Sequence, residues 1–199
     1  MNESSNNQIE KILEKLNDEY CEKIRDAMNI IKKYLTIATT DLTIRPYKKT
    51  DIEYVIDRQL SLYETERKFT SEVWKKYLIQ VVLGLVDRFN PEKDCMFILE
   101  CNGNPAGCVA ITHTQQNDAQ FRYFFLEPEL RGLGAGQKLL DTALNFCKEK
   151  GYKHVFLWTV SAQSAARNLY KKAGFKITET SENFDWGVPV VEERWDMDI

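Results

Sequence analysis

Three alternating glycines beside an arginine are the residues of this chain whose spacing points most directly to chemistry. The glycines are Gly132, Gly134 and Gly136, and they follow Arg131 and precede an amphipathic pattern. The first amides of a helix lack partners within it and lie at the positive end of its dipole, so they favour an anion. Glycine lets a ligand approach such a backbone without meeting a side chain. The pattern predicts a small molecule with a pyrophosphate group at this turn, the alternative being a tight strand-to-helix connection that binds nothing.

Two common nucleotide-binding motifs do not fit this turn. A Walker A loop ends in Gly-Lys-Ser or Gly-Lys-Thr, because its hydroxyl binds magnesium, whereas Gly136 is followed by Gln137 and Lys138. A dinucleotide-binding fingerprint has the spacing G-x-G-x-x-G and an acidic residue at the end of the next strand. The spacing here is G-x-G-x-G, and the strand predicted over residues 154–160 ends without a carboxylate. Both motifs are therefore excluded.

A second motif lies at 161–175, where the chain reads SAQSAARNLYKKAGF. It predicts a helix with a face of small residues that ends near Leu169 and Tyr170. Gly174 stops this helix, because glycine adopts the left-handed conformation of a helix C-terminus at little cost, and Phe175 starts another strand. The two motifs together predict a strand, a glycine turn, a helix, a strand and a second helix that glycine ends.

This combination resembles the GNAT superfamily of acetyl-CoA-dependent N-acetyltransferases. The resemblance rests on RGLGAG at 131–136, which fits the family's Q/R-x-x-G-x-G/A turn, and on Leu-Tyr-x-x-x-Gly-Phe at 169–175. It covers residues 41–199, which we predict to form the N-acetyltransferase domain. It implies an α+β fold, in which a central mixed, mostly antiparallel sheet is flanked by helices and preceded by an N-terminal helical extension.

The resemblance also implies roles for the matching positions. In this family the strand before the turn splays open and its backbone pairs with the pantetheine arm, while the turn binds the pyrophosphate. Tyr170 matches the tyrosine that protonates the departing CoA thiolate, with simple packing as its alternative. Gln163 stands where the family often has a cofactor-contacting Asn, and Arg131 is alternatively a solvated side chain. The implied acetyl-CoA-binding residues are Phe124, Phe125, Leu126, Arg131, Gly132, Leu133, Gly134, Ala135, Gly136, Gln137 and Gln163.

The sequence does not identify a general base. Some family members have a glutamate early in the strand before the glycine turn, but Gln120 stands near that position and cannot accept the proton. The candidates elsewhere are Glu127, His113, Glu64 and Glu66. We expect Glu127 to be a solvated residue at the strand end and His113 to be a satisfied surface histidine. Deprotonation of the amine through water is a further alternative.

Arg122 and Trp158 are the candidate acceptor-binding residues. Arg122 alternates with Phe124 and Leu126, so all three are predicted to share one face of a strand. A charged residue on an apolar face needs a carboxylate partner, either an acidic group on the acceptor or a protein residue in an internal salt bridge. Aromatic residues that could line the acceptor pocket, with core packing as their alternative, are Tyr63, Trp158, Phe184 and Trp186.

The elements that position these residues are predicted from periodicity and turn signals. Strands are expected at 42–46, 96–99, 107–112, 120–126, 154–160 and at the C-terminus, and helices from Asp51 and after Thr70. The helix after the glycine turn has an apolar stripe formed by Leu139, Leu140, Ala143, Leu144 and Cys147. The last strand alternates, with Val191, Trp195 and Met197 on one face and Glu193 as the exception on that face.

Residues 1–40 differ from the rest of the chain, because they contain neither glycine nor proline. Their apolar residues recur at steps of three and four, which predicts one stripe on a helix or a pair of helices. Asn17 and Asp18 are predicted to cap the second of two such helices. The stripe comprises Ile9, Leu13, Leu16, Tyr20, Ile24, Ala27, Ile31 and Tyr34.

The segment 16–35 resembles the final helix of MarR-type regulators, which precede an acetyltransferase in one group of bacterial fusion proteins. Parts of residues 41–199 resemble the acetyltransferase of that group. The resemblance implies that residues 1–40 are a remnant of a regulator's dimerisation region. Their apolar stripe is then expected to pack on the catalytic domain or on a second copy, in a homodimer.

Composition narrows the classes of function. A formal net charge of −3 and the lack of a basic stripe argue against nucleic-acid binding by this chain alone. The five cysteines are odd in number and form no C-x-x-C pair, and neither a signal peptide nor a long apolar run is present. We therefore expect a cytoplasmic protein that does not bind membranes. His113 and His154 lack metal-ligand spacing, so no metal is expected.

The leading functional hypothesis is an N-acetyltransferase that transfers acetyl from acetyl-CoA to a primary amine of a small molecule or protein, by direct attack in a ternary complex. One alternative is an acetyl-CoA-binding regulatory module associated with a MarR-type regulator. Another is an interaction domain with a degenerate site. The amine acceptor is not identified, because acceptor pockets in such folds are built from variable loops.

Overall fold

The computed structural model describes residues 17–199. The chain divides between Thr40 and Asp41 into two compact units, and the first contains helix α1 (Asp18–Thr39). Asn17 is the N-cap of α1, since its side-chain oxygen accepts a hydrogen bond from the amide of Tyr20 at 2.9 Å. The predicted cap is confirmed. The helix predicted before it lies outside the described residues, together with the first three positions of the apolar stripe.

Residues 41–199 are built around one seven-stranded sheet. The strands are β1 (Leu42–Pro46), β2 (Cys95–Cys101), β3 (Asn104–His113), β4 (Asp118–Leu126), β5 (His154–Val160), β6 (Lys176–Asn183) and β7 (Val190–Asp198). They lie in the order β1-β2-β3-β4-β5-β7-β6. The β4–β5 pair is parallel and the other five neighbouring pairs are antiparallel. The last strand of the chain is therefore inserted between β5 and β6.

Helices cover both faces of this sheet. They are α2 (Asp51–Arg67), α3 (Glu72–Asp87), α4 (Ala135–Glu149) and α5 (Ser164–Ala173), with a 3₁₀ turn at Pro128–Leu130. One core cluster joins α2 and α3 to the sheet, with Val55 and Val82 fully buried. The other joins α4 to the opposite face, with Leu139 and Leu140 fully buried. The predicted fold, a mixed and mostly antiparallel sheet flanked by helices, is confirmed.

The apolar stripe predicted for α4 is also confirmed, because all five of its residues are buried. The buried face predicted for the last strand, β7, is confirmed only in part. Glu193 shares the buried face of Trp195, and its carboxylate accepts hydrogen bonds from Arg167 Nε at 2.8 Å and from Trp195 Nε1 at 3.0 Å. Paired in this way, a carboxylate can be buried. Val191, by contrast, is 40% exposed and joins neither core cluster.

Within residues 17–199, no helix is long and apolar enough to cross a membrane.

A histidine between two aspartates links β5 to β7. His154 Nε2 lies 2.7 Å from Asp196 Oδ1, and Nδ1 lies 2.9 Å from Asp198 Oδ1. The hydrogen bonds with Asp198 and Asp196 raise the pKa of His154. A raised pKa in the folded state means that protonated His154 stabilises the fold.

We therefore expect the contribution of His154 to be complete below its unfolded pKa of about 6.5 and to be lost as pH rises through the raised folded value. For a partly exposed pair of this kind, the loss should be about 1 kcal/mol or less. The measurement is thermal unfolding of wild type and His154→Asn at pH 6 and pH 9. Wild type should be the more stable of the two at pH 6, and the gap should close at pH 9. A gap that does not change with pH would contradict this assignment.

Candidate active site

The glycine turn places unpaired amides at the start of α4. Gly132 and Gly134 have φ values of 74° and 82°, a left-handed conformation that glycine adopts without strain. Gly134 is the N-cap of α4 and provides no side-chain cap. The amides of its first turn therefore lack intrahelical partners. Such an end can accept an anion.

Gly136 serves a different purpose from the other two glycines. A Cβ at this position would lie 3.3 Å from Leu126 Cδ1 and 3.6 Å from Phe124 Cζ. By contrast, nothing lies within 4 Å of a Cβ placed on Gly132 or Gly134. Gly136 therefore allows α4 to approach β4 closely, whereas the other two glycines allow the turn itself.

β4 and β5 pair over only part of their lengths. Their parallel register runs from Asp118 opposite His154 to Phe121 opposite Leu157 and ends there. The rest of β4 stays paired with β3 but has no partner on β5 over residues 122–126. The splay implied by the resemblance is thus present where Phe124, Phe125 and Leu126 lie. An extended ligand can pair with this free edge.

A β-bulge in β4 changes the direction in which its side chains point. The register with β3 shifts within the strand, and Tyr123 has a left-handed φ of 52°. Phe121 and Phe124 consequently pack on the α4 side of the sheet, while Tyr123 packs on the α2–α3 side. Arg122, next to Phe121 and before the bulge, lies on the side opposite Phe124. The prediction that Arg122 shares a face with Phe124 and Leu126 is therefore wrong.

The internal salt bridge considered for Arg122 is also absent from the described part of the chain. Within residues 17–199 no carboxylate forms an ion pair with its guanidinium. The guanidinium carbon instead lies 5.0 Å from the centroid of the Tyr123 ring. Arg122 therefore keeps a half-buried positive charge without an anionic partner in the described chain.

A cleft of about 430 Å³ lies over the glycine turn and the free edge of β4. The predicted cofactor-binding residues that line it are Phe124, Phe125, Leu126, Arg131, Gly132, Gly134, Gly136, Gln137 and Gln163. The side chains of Leu133 and Ala135 belong to the core instead, and Ala135 is fully buried. Those two positions could act through their backbone.

Several residues that line the cleft were not among the predicted cofactor-binding residues. They are Leu62, Arg67, Ala165, Ala166, Leu169 and Lys172. Arg67 stands four residues after Tyr63 on α2, so the two share a face of that helix. Periodicity could have placed them together, but not beside the glycine turn, because only tertiary packing brings α2 to α4.

The cleft carries an excess of positive charge. Arg131 forms an ion pair with Glu66 at 2.8 Å, and it also donates to the carbonyl of Leu126 at 3.0 Å. Its alternative role as a purely solvated side chain is thus excluded. Arg67 and Lys172 line the same cleft and form no ion pair with any residue of 17–199. This arrangement suits a ligand with several negative charges.

Two smaller cavities adjoin the cleft. The first, which we call the small cavity, has a volume of about 60 Å³ and is bordered by Tyr170 and Arg122. The second, the aromatic chamber, measures about 150 Å³. Tyr63 and Gln163 line all three spaces, and Gln163 Nε2 donates to the Tyr63 hydroxyl at 2.9 Å. This hydrogen-bonded pair therefore marks the place where the three spaces meet.

The walls of the aromatic chamber come from four separate segments of chain. Trp74 packs at 5.0 Å from Trp186 and at 5.1 Å from Tyr63, measured between ring centroids. Trp158, one of the predicted acceptor-binding residues, lines both smaller cavities and is 39% exposed. Tyr63 and Trp186 are likewise wall residues, whereas Phe184 is 68% exposed and borders a different cavity.

Tyr170 presents a protonated hydroxyl at the small cavity. The residue is 4% exposed, and its ring packs 5.9 Å from Phe121 and 6.1 Å from Phe124. Burial raises the pKa of Tyr170 well above its usual value. Within residues 17–199 its hydroxyl forms no hydrogen bond. A neutral phenol of this kind can donate a proton to a developing anion.

Glu127 does not fit the expectation of a solvated acid. Its carboxylate accepts from Arg58 Nε at 2.6 Å and 2.8 Å, from Arg58 Nη2, and from the Tyr54 hydroxyl at 3.1 Å. The side chain is only 18% exposed. The prediction is wrong because the end of β4 packs against α2, where Arg58 neutralises the charge. Glu127 thus has a structural partner.

The other candidate bases are also separated from the small cavity. His113 lies at the end of β3, where it pairs with Ala119 of β4. Ala119 precedes Tyr123, which borders the small cavity, by four residues along β4. Its Nδ1 is buried without a hydrogen-bond partner, so the prediction of a satisfied surface histidine is wrong. Glu66 lines the cleft but is paired with Arg131, and Glu64 lines none of these spaces. In the described part of the chain, no group of His, Cys, Asp and Glu side chains could hold a metal ion.

Comparison with known proteins identifies the family. A family model described as acetyltransferase (GNAT) family matches residues 60–175, more than half of the chain. The chain belongs to the GNAT acetyltransferase family. The matched region of this GNAT domain runs from the second half of α2 through the glycine turn to just past the end of α5.

Individual relatives agree with this assignment. An uncharacterized N-acetyltransferase of Methanocaldococcus jannaschii is 26% identical over 162 residues, which cover 77% of this chain and 66% of that protein. The peptidyl-lysine N-acetyltransferase YjaB of Escherichia coli is 33% identical over 106 residues, or 53% of this chain and 65% of its own. In three relatives, the Methanocaldococcus protein among them, the matches span only 66%, 40% and 39% of their lengths.

A solved structure with the same fold is that of yncA from Salmonella typhimurium, described with its cofactor acetyl-CoA. It is 15% identical to this chain, with a TM-score of 0.62, and the match covers 79% of this chain and 94% of that one. At this identity the likeness concerns the fold.

The ion pair between Arg58 and Glu127 gives a direct test of whether Glu127 is structural. Glu127→Ala should lower the free energy of unfolding by about 2 kcal/mol, because it leaves a partly buried arginine without its anion. The double variant with Arg58→Ala should cost about 1 kcal/mol less than the sum of the single changes. Urea denaturation of the four proteins measures both quantities. Strict additivity would show that the pair contributes nothing.

Proposed function

We propose that this GNAT domain transfers an acetyl group from acetyl-CoA to an amine in a ternary complex. The observation that carries the proposal is the meeting of the three spaces at Tyr63 and Gln163. On one side lies a positively charged cleft built on unpaired amides, and on the other lies an aromatic chamber. Such an arrangement allows donor and acceptor to bind at once and to meet at one point.

The cleft suits acetyl-CoA on three grounds. The amides at the start of α4 can bind the diphosphate, supported by the charges of Arg131, Arg67 and Lys172. The free edge of β4 over residues 122–126 can pair with the amides of the pantetheine arm. The related fold of yncA is described with acetyl-CoA as its cofactor. Bound there, acetyl-CoA would supply its acetyl group as a thioester.

The amine must be neutral when it attacks, because a protonated amine has no free electron pair. None of the residues that line the small cavity carries a carboxylate. We infer that the amine loses its proton through water, favoured by its removal from bulk solvent and by the positive charge of Arg122, both of which lower the pKa of an ammonium group. The new N–C bond then forms as the C–S bond breaks.

Tyr170 is proposed as the general acid for the sulfur. Cleavage of the thioester leaves a thiolate, and the phenolic proton of Tyr170 can neutralise it as the C–S bond breaks. Burial raises the pKa of Tyr170, so the phenol is neutral and carries this proton when the substrates bind. After the attack the nitrogen loses a second proton to water, and Tyr170 recovers a proton from solvent before the next cycle, so protons balance over the reaction.

Two further hypotheses concern the N-terminal unit and stay predictions. They are homodimerisation through the N-terminal helices and descent from a MarR-type regulator. Tyr20, Ile24, Ile31 and Tyr34 of α1 are all exposed apolar residues of the predicted stripe. Such a stripe is what a pair of helices would bury.

The direct test combines binding and turnover. Titration calorimetry measures the affinity of the cleft for acetyl-CoA. Release of free thiol in the presence of a panel of amines measures acetyl transfer. We expect both binding and amine-dependent thiol release. Binding without release from any amine would favour the regulatory module instead, and the absence of binding would overturn the proposal.

Replacing the phenol isolates the role of Tyr170. Tyr170→Phe should lower kcat by about 100-fold while the Kd for acetyl-CoA changes less than about threefold, because only the proton donor is removed. Tyr47→Phe is the matched control: its ring packs on Phe89 at 5.0 Å and it lines none of the three spaces. Unchanged turnover in Tyr170→Phe would remove this residue from the mechanism.

Gly134→Val tests the amide cradle. Valine at a φ of 82° is strained by about 1–2 kcal/mol, so the turn should rearrange and the Kd for acetyl-CoA should rise about tenfold or more. Gly151→Val is the matched control, with a φ of 77° just beyond the other end of α4 and equally open surroundings. The two variants should lose similar stability in a thermal melt, but only Gly134→Val should lose affinity. Equal affinities would contradict the cradle.

A further inference from the structure

Gln59 is a buried amide that nothing in the described chain satisfies. The residue is 4% exposed and lines both the small cavity and the aromatic chamber. Within residues 17–199 the side chain of Gln59 makes no hydrogen bond. Its amide oxygen and nitrogen are nevertheless not fully enclosed by protein atoms. Its amide therefore faces cavity space. A buried amide in this state calls for a partner on a ligand.

Arg122 is the second unsatisfied group of the same two cavities. Its side chain is half-buried and has no ion-pair partner among the described residues, as shown above. Arg122 lies just before the bulge at Tyr123, and this bulge turns Phe124 to the opposite side of the sheet. A guanidinium held in this way favours a carboxylate, to which it can donate two parallel hydrogen bonds.

The charges around the two cavities differ. The small cavity, which Tyr170 borders, has Arg122 as its charged residue and no carboxylate in its lining. The aromatic chamber adds Glu192, whose oxygens accept from Trp186 Nε1 at 2.8 Å and from Asn183 Nδ2 at 3.0 Å. An anionic group is therefore favoured beside Arg122, near the reacting end, and disfavoured beside Glu192.

We propose that the amine acceptor carries a carboxylate close to its reactive nitrogen, as an amino acid does, and that Arg122 and Gln59 bind this carboxylate; the inference rests on the acetyl transfer proposed above. The apolar part of the acceptor then packs in the aromatic chamber against Trp74, Trp158 and Trp186. Binding the carboxylate beside Tyr63 and Gln163 places the neighbouring amine where the three spaces meet.

Three acceptors that differ at one group test the proposal. L-phenylalanine carries the carboxylate, L-phenylalaninamide replaces it with a neutral amide, as in a peptide N-terminus, and phenethylamine lacks it. With saturating acetyl-CoA, kcat/KM should be highest for L-phenylalanine. A preference for L-phenylalaninamide would overturn the proposal in favour of a peptide N-terminus. Equal use of all three would overturn it in favour of an acceptor that is recognised by its ring alone.

Comparing kcat/KM for the same acceptor between wild type and a variant removes the effect of the acceptor's intrinsic reactivity. Arg122→Gln should lower kcat/KM for L-phenylalanine about 30-fold and change that for phenethylamine less than about threefold. Arg122→Lys should restore part of the loss, and Gln59→Leu should act in the same direction more weakly. Arg194→Gln is the matched control, because Arg194 also lies over an aromatic ring, that of Phe156 at 4.1 Å, but lines none of the three spaces. An equal loss for both acceptors in Arg122→Gln would overturn the proposal.

Failure of this inference is distinguishable from failure of the proposed function. Binding of acetyl-CoA together with acetylation of amines that lack a carboxylate would overturn the acceptor class alone. Absence of acetyl-CoA binding would overturn both. A thermal melt of each variant separates loss of recognition from loss of folding, since Arg122 forms no ion pair with any residue of 17–199 whose removal would destabilise the domain.

Discussion

The break between β4 and β5 is the constraint on which the site depends. Two parallel strands that stayed paired to their ends would satisfy each other's backbone and leave no space between them. Here the register ends at Phe121 and Leu157, so the second half of β4 offers a free edge to a ligand. The left-handed backbone of Tyr123 accompanies this break. Strain of this kind persists where the surrounding structure holds it in place, and such residues cluster at functional sites.

The same break brings chemically different surfaces together. On the α4 side, the glycine turn adds unpaired amides and positive charge to the free edge. On the α2–α3 side, Arg122 and the bulged residue Tyr123 both line the aromatic chamber. The hydrogen bond between Tyr63 and Gln163 joins α2 to the start of α5 at the boundary. Each surface thus comes from different parts of the chain, and the split in the sheet is what lets them share one site.

The prediction from sequence succeeded where the signal was local. The glycine turn, the apolar stripe of α4 and the Asn17 cap all depend on residues within a few positions of one another, and helix periodicity and backbone conformation follow from such spacing. It failed for Arg122 and Glu127. Alternation in β4 assumed an unbroken strand, and one extra residue in a bulge reverses the alternation. Glu127 looked solvated because its partner, Arg58, lies 69 residues away.

The sequence by itself determined the order of the elements and the glycine turn at the start of α4, because both rest on short spacings that the backbone geometry translates directly into structure. Its motifs also indicated the family, through their resemblance to those of known members. Only the tertiary structure decided which charges are satisfied. Arg131 and Glu127 are paired, whereas Arg122 and Gln59 have no ion-pair or hydrogen-bond partner among residues 17–199, and no spacing along the chain distinguishes these cases. The physical reason is that a buried polar group is satisfied by whatever packing brings within about 3 Å of it, and that packing joins segments far apart in sequence.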